Sequence, residues 1–297
     1  MLGTTFYFDW EINLILAIQA HFGKIGVLIS QVCSLLGQQY PLVLLVCILY
    51  FAIDKKMGKR ICLNLLTVLV WCPMIKNVTF RRRPYFDNEN IKILIAAEPS
   101  ADAYDMVAQG FSFPSAHSAC SVAAYPAMTR CSKKKWLRVL GWVLPFIIGI
   151  SRFCVGAHYP TDVIVGWALG IFVAFIIPFL GSKLKNENYL YLIILLTAIP
   201  GLFYCQTTDY FSGFGLLLGF FLGSLFEEKY VNFEKPKSIK YAILRVALGI
   251  GVFLLFAQGI KFILGEGIVV RVIRYTVGAF IALGVFPILF KKFEKEN

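Results

Sequence analysis

The stretch YPTDVIVGWALGIFVAFIIPFLG, residues 159–181, carries one charge, Asp162, near its start; the nineteen residues that follow, Val163 to Gly181, carry none. Crossing a bilayer takes about 20 mainly apolar residues, and a helix is the natural form because it satisfies its own backbone in lipid. The stretch therefore predicts a transmembrane helix that Pro160 is placed to start. The whole chain has the same character. It has 297 residues, of which 58% are hydrophobic and 15% charged, with a mean hydropathy of +0.71. Those values exclude an ordinary water-soluble domain.

Nine such spans are predicted, at about 26–53, 60–78, 115–129, 137–151, 159–181, 189–205, 211–226, 241–262 and 268–290. The first is long enough to be tilted or broken near Gly37. A helical pair ahead of it, from about Trp10 to Ala20 onward, is expected in the outer interface. Basic loops stay in the cytoplasm. Lys55, Lys56, Lys59 and Arg60 form one; Arg130, Lys133, Lys134, Lys135 and Arg138 another; Lys183 and Lys185 a third; Lys229, Lys235, Lys237 and Lys240 a fourth; Lys291, Lys292 and Lys295 the tail. Nine spans put all five on one side, with the N-terminus outside and the C-terminus inside. Topology thus accounts for most of the net charge of +12, and no nucleic-acid partner is called for. No cleavable signal peptide is expected. Eight cysteines, at 33, 47, 62, 72, 120, 131, 154 and 205, include no CxxC pair and read as small buried hydrophobes. With three histidines and no HExxH, no protein-built metal site is expected.

Three polar groups gather at the outer boundary. FPSAHSA, residues 113–119, opens the span at 115–129. The amides of Ser115, Ala116 and His117 at a helix start make an anion site. KNVTFRRRP, residues 76–84, places Lys76 and Arg83 seven residues apart, which in a continuous helix ended by Pro84 is one face. SRFCVGAHYPTD, residues 151–162, carries Arg152, His158 and Asp162. A lone interfacial arginine or histidine is usually an anchor. Three clusters on one side, against the charge bias of the other loops, predict a site.

The pattern K-x6-R-P (Lys76 to Pro84), P-S-A-H (Pro114 to His117) and S-R-x5-H-x3-D (Ser151 to Asp162) resembles the three-part signature of the type 2 phosphatidic acid phosphatase superfamily, which also contains glucose-6-phosphatase and the vanadium haloperoxidases. The resemblance covers roughly residues 26–181. Together with the nine apolar runs it gives an expected all-α polytopic membrane bundle of about nine helices around a six-helix-like phosphatase core, residues 1–182, followed by additional transmembrane helices, 183–297. One departure stands out: the family usually has glycine where this chain has Ala116.

The residue types fit phosphoryl transfer. Lys76, Arg83 and Arg152 supply charge for the phosphate oxygens, Ser115 and the Ala116 amide add donors, and arginine suits bidentate phosphate contact. Asp162, four residues after His158, is placed to hold one ring nitrogen protonated and leave the other to attack. His117 is then the acid for the departing alkoxide. These roles agree with what the resemblance implies: a phosphohistidine intermediate, hydrolysed by water, with neither metal nor cofactor. His21 has no such neighbours.

The expected activity is hydrolysis of a lipid phosphate or diphosphate at the non-cytoplasmic face of a cell membrane, a bacterial plasma membrane ahead of the endoplasmic reticulum. Alternatives are a sugar-phosphate phosphatase, a lipid phosphotransferase and a non-catalytic lipid-phosphate binder or transporter. The acidic loop from Tyr85 to Phe113 reads equally as a cap favouring lipid substrates or as a solvated linker. Arg245 is expected to snorkel inward; Arg271 and Arg274 are expected to snorkel at the outer end, with contact to a second phosphate or a headgroup as the alternative. The sequence sets no oligomeric state.

Overall fold

A computed structural model describes residues 3–96, 98, 101–130 and 133–293, with side chains through residue 290. Cys131 and Lys295 lie outside the described residues. In order, the helices are α1 (Asp9–His21), α2 (Lys24–Leu36), α3 (Gln39–Ile48), α4 (Lys55–Thr79), α5 (Pro84–Asp87), α6 (Met106–Gln109), α7 (Ala116–Thr129), α8 (Lys135–Cys154), α9 (Pro160–Lys183), α10 (Glu187–Ala198), α11 (Gly201–Tyr204), α12 (Thr208–Phe226), α13 (Ile239–Leu264), α14 (Ile268–Phe280) and α15 (Ile288–Phe293). π-Turns at Leu49–Ile53, Glu227–Val231 and Ile281–Val285 continue α3, α12 and α14. No strand occurs among the described residues; one isolated bridge joins Thr4 to Arg81. The all-helical bundle is as expected.

The count of spans differs. Seven helices are long and apolar enough to cross a bilayer, and eight if the pair Lys24–Leu36 and Gln39–Ile53, bent by 46°, is one span. That bend falls at the expected break near Gly37. The expected ninth span, 115–129, is α7, a helix of 14 residues. Its rise of about 21 Å falls short of the roughly 30 Å of a hydrocarbon core. Nine of those residues are buried, mostly small ones such as Ser118, Ala119, Ser121, Ala123 and Ala124. An apolar run of small residues marks a helix enclosed by protein, which hydropathy alone does not separate from one facing lipid.

The chain forms two compact units. One runs through Leu42 and includes Trp71–Ile176 and Cys205–Thr207; the other comprises Val43–Val70, Ile177–Tyr204 and the chain from Thr208 on. In the first unit, α1, α2 and α7 pack on α8. The quoted stretch 159–181 shows why α9 sits so near α7. A Cβ at Gly166 would lie 2.6 Å from the Ser115 carbonyl oxygen, and one at Gly170 would lie 2.4 Å from that of Ala119. Two glycines one turn apart thus let the backbones touch, the small-residue logic of helix packing in lipid. Helix α1 is more than an interfacial helix: Ile12 and Ile15 form a buried cluster with Tyr85, Ile91 and Tyr159.

In the second unit, Tyr50, Phe51, Val231, Phe233, Phe286 and Phe290 form an aromatic core, and the Tyr50 hydroxyl donates to the Leu283 carbonyl at 2.9 Å. Beside it, fully buried Glu227 accepts from Lys55 at 2.8 Å and Lys59 at 2.9 Å. Arg245 does not snorkel. It is buried, with its guanidinium 4.2 Å from the Phe290 ring centroid and Nη1 donating to the Glu234 carbonyl at 2.7 Å; an aromatic face and a carbonyl substitute for water.

Candidate active site

Each of the three sequence groups lies at a helix end in the first unit. Helix α4 carries Lys76 in its last turn and stops at Thr79, because Phe80 takes a left-handed backbone (φ +50°). Arg83 is then the residue before α5, whose first position is Pro84. The expectation that Lys76 and Arg83 share one helical face is therefore wrong: the helix ends at Thr79, with four residues between it and the proline. The two cations still converge, since both lie close enough to act electrostatically on His117 and on His158, as does Arg152.

Arg83 is buried and fixed by main-chain carbonyls. Its Nε donates to Gln109 O at 3.0 Å, Nη2 to Gln109 O at 2.8 Å and Nη1 to Ala157 O at 2.9 Å. The loop from Tyr85 to Phe113 is thus no loose linker at this point. The Gln109 side chain ties it internally, donating to the carbonyls of Glu98 at 2.9 Å and Asp102 at 3.1 Å. Arg152, in the last turn of α8, is also buried and donates through Nη1 to the Ser34 hydroxyl.

Ser115 precedes α7 and caps it. Its hydroxyl oxygen accepts from the Ser118 amide at 3.4 Å and from the Ser118 hydroxyl at 2.9 Å, which leaves its own proton to donate. The Ser115 amide is not open to an anion, because it donates to the Asp162 carbonyl at 2.9 Å. The amides of Ala116 and His117 have no partner among the described residues, so the anion site expected here rests on those two.

His158 lies in the turn between α8 and α9, with Nε2 3.4 Å from Arg83 Nη1 and Nδ1 3.5 Å from Asp162 Oδ2. A guanidinium can only donate, so the nitrogen facing it is the bare one, and the proton sits on Nδ1 toward the carboxylate. Burial, with Arg83, Arg152 and Lys76 nearby, holds the His158 pKa well below the usual histidine range. The ring is neutral at pH 7. The Nδ1 contact to Asp162 is long and makes no hydrogen bond, because the carboxylate is already committed. Its Oδ2 accepts from the Tyr159 amide at 2.7 Å, closing the first turn of α9, and its Oδ1 accepts from Arg81 at 2.6 Å.

Arg81 and Glu11 are the residues that sequence reasoning missed. Arg81 is 1% exposed, lies 4.0 Å from the Tyr159 ring centroid, and donates through Nη2 to Glu11 Oε2 at 2.7 Å. Glu11, fully buried, also accepts from the Thr161 amide at 3.0 Å and hydroxyl at 2.6 Å. The run of three arginines before Pro84 was the available signal for Arg81. Nothing near Glu11 in sequence connects it to the three motifs. No cluster of three or more His, Cys, Asp or Glu suited to a metal ion occurs among the described residues.

Comparison with known proteins follows the same residues. The family model described as the PAP2 superfamily matches residues 58–185, and that described as the PAP2 superfamily phosphatase transmembrane extension matches residues 211–297. Undecaprenyl-diphosphatase of Sulfolobus acidocaldarius is 29% identical over 129 residues, 43% of this chain and 57% of that protein. Phosphatidylglycerophosphatase B of Bacillus subtilis is 32% identical over 85 residues, 26% of this chain and 42% of that protein. The chain thus spans about half the length of these curated relatives. Among solved structures, Aquifex aeolicus LpxE aligns with a TM-score of 0.47 and 21% identity, over 57% of this chain and 94% of that one. A PAP2-type phosphatidylglycerolphosphate phosphatase from Bacillus subtilis gives 0.48 and 22%, over 60% and 87%.

Proposed function

The chain belongs to the PAP2 superfamily, and from that premise we propose that it is a multi-pass membrane phosphatase hydrolysing a lipid phosphate or diphosphate through a phosphohistidine on His158. The observation that carries this reading is the orientation of His158: a neutral ring with its bare Nε2 beside Arg83 and its Nδ1 toward Asp162. An anion-binding site alone has no use for a bare, oriented nitrogen.

In the proposed cycle Lys76, Arg83 and Arg152 hold the phosphate oxygens, with the Ser115 hydroxyl and the Ala116 and His117 amides as further donors. His158 Nε2 attacks phosphorus as the phosphorus–oxygen bond to the lipid alcohol breaks, and His117 gives its proton to the departing alkoxide. Water, its proton taken by His117, then displaces phosphate from His158 and restores both rings. Three fixed cations offset the phosphate charge, so the reaction is proposed to need no metal.

We place the phosphatase core in residues 1–182 and an extension in 183–297, in keeping with the separate match over 211–297. The site is proposed to face the non-cytoplasmic side of the cell membrane, opposite the basic loops. That requires α7 to carry the chain back across, which a 14-residue helix does only inside a bundle.

Phosphate release by detergent-purified protein tests the reading. The panel is phosphatidic acid, phosphatidylglycerol phosphate, polyprenyl diphosphate, sphingoid-base phosphate and glucose 6-phosphate, with excess chelator. Release from one or more lipids, insensitive to chelation and abolished in His158→Ala, is expected. Preference for glucose 6-phosphate would overturn the lipid assignment, and binding without turnover the enzymatic one.

A further inference from the structure

Two cations of the second unit are unused by any of the three motifs. Arg271 and Arg274 lie three residues apart near the start of α14, hence on neighbouring positions of one face. Arg274 is 6% exposed, yet its Nε and Nη1 are buried without a hydrogen-bond partner among the described residues. The Nε of Arg271 is in the same state, while its Nη1 donates to the Ser212 hydroxyl of α12 at 3.3 Å. No carboxylate lies within ion-pair distance of either guanidinium among the described residues. Glu266, on the preceding turn, is exposed and bonded to Lys261. Asp209, in the first turn of α12, accepts from the Tyr210 amide at 2.9 Å.

A guanidinium is permanently charged and offers five fixed donors. Buried in a helical bundle with no carboxylate in contact, as Arg274 is, it is disfavoured unless an anion completes it; exposed Glu266 acts on both arginines only through space, and intramembrane charges mark function by default. The surrounding packing holds the donors in place. The Arg274 guanidinium lies 4.9 Å from the Tyr275 ring centroid, and Tyr275 is itself stacked on Phe253. Helix α14 cannot draw away easily from α12, because Gly215 and Gly219 bring the backbones together: added Cβ atoms would lie 2.7 Å from Val272 O and 2.4 Å from Thr276 O. The result is three buried, unpartnered nitrogens on two guanidiniums, with a serine hydroxyl beside them.

We propose that Arg271, Arg274 and Ser212 form a second anion site, which takes the phosphate group of a phospholipid headgroup. A phosphate has the acceptor number and geometry that two forks require, which a single carboxylate lacks. An unreactive phosphodiester seated there would complete the bundle of α12 and α14 as a bound lipid.

The test uses the full chain purified in a neutral detergent, as wild type, Arg271→Gln/Arg274→Gln and Arg271→Lys/Arg274→Lys. Each is titrated with phosphatidylglycerol and, separately, with inorganic phosphate, following thermal unfolding and lipid retention by native mass spectrometry. Binding at the histidine site is common to all three proteins, so the differences between them report the second site and do not depend on turnover. Wild type should gain thermal stability with phosphatidylglycerol, and the glutamine pair should bind it about 10–100-fold more weakly, the worth of one or two charge-assisted hydrogen bonds. The lysine pair keeps the charge and loses the forks; about tenfold weakening is expected there, which keeps the test decisive if the glutamine pair does not fold. Equal binding by all folded proteins overturns the site. A shift produced by inorganic phosphate alone, with none from the lipid, overturns the headgroup assignment.

Discussion

Arg81 joins Asp162 to Glu11: one guanidinium holds Asp162 Oδ1 at 2.6 Å and Glu11 Oε2 at 2.7 Å, and all three side chains are buried. The carboxylate behind His158 is therefore set from α1 through Arg81; Arg81 stands at an unspecified position inside the first motif, and Glu11 stands outside all three. Arg81→Ala would leave two buried carboxylates uncompensated and should cost about 3–5 kcal/mol of stability. Glu11→Gln should still fold. It shifts the Arg81 charge further onto Asp162, so kcat should fall about 10–100-fold, by analogy with the outer-shell groups that orient metal-bound histidines, while KM stays nearly constant. A rise in KM at constant kcat would assign Glu11 to substrate binding, contrary to the geometry.

The two histidines should separate by leaving group. His158→Ala should lose turnover with every substrate. His117→Ala should lose about 10²–10⁴-fold with a lipid alcohol but much less with nitrophenyl phosphate, whose leaving group departs unprotonated. Acid-labile, base-stable label trapped on the His158→Ala protein would reverse the roles.

The acid limb of kcat/KM should lie below about 6.5, the ordinary histidine value, since burial and three cations hold His158 neutral. Below that limb Nε2 is protonated and cannot attack. Removing one of those charges, as in Arg152→Gln, should raise the limb even as activity drops. For folding, a depressed pKa means that the unfolded chain takes up the proton first. The His158 contribution thus lowers stability as pH falls from about 6.5 through the folded pKa, which denaturation at pH 7 and pH 5 would detect against the His158→Ala protein.

Of the site, what was legible was what a motif spells with side chains. Lys76, Arg83, Arg152 and both histidines gather electrostatically, because each is tied to a helix end by a proline, a cap or a last turn. Two things could not be read in this way. Phe80 breaks α4 through its own backbone angle, which no residue type announces, and so the shared face of Lys76 and Arg83 was illusory. Glu11 reaches Thr161 across 150 positions of chain, a contact set by packing alone. In the fold, apolar length located the long spans, and it did not distinguish the short, enclosed α7 from them, because hydropathy is blind to whether an apolar side chain meets lipid or protein.

In the second unit, Glu227 neutralises Lys55 and Lys59 while fully buried. Glu227→Ala should therefore destabilise by about 3–5 kcal/mol, and Glu227→Gln by less, since the amide oxygen still accepts. Equal melting temperatures for wild type and Glu227→Ala would show that water reaches the two lysines.

Because Arg83 hangs from the carbonyls of Gln109 and Ala157, the loop segment around Gln109 and the phosphate charge are mechanically tied. A ligand that displaced residues 101–110 would be expected to carry the cation away with them and loosen its own phosphate, a coupling through electrostatics instead of collision. A single residue inserted between Asp102 and Gln109 should therefore weaken substrate binding, read as a raised KM.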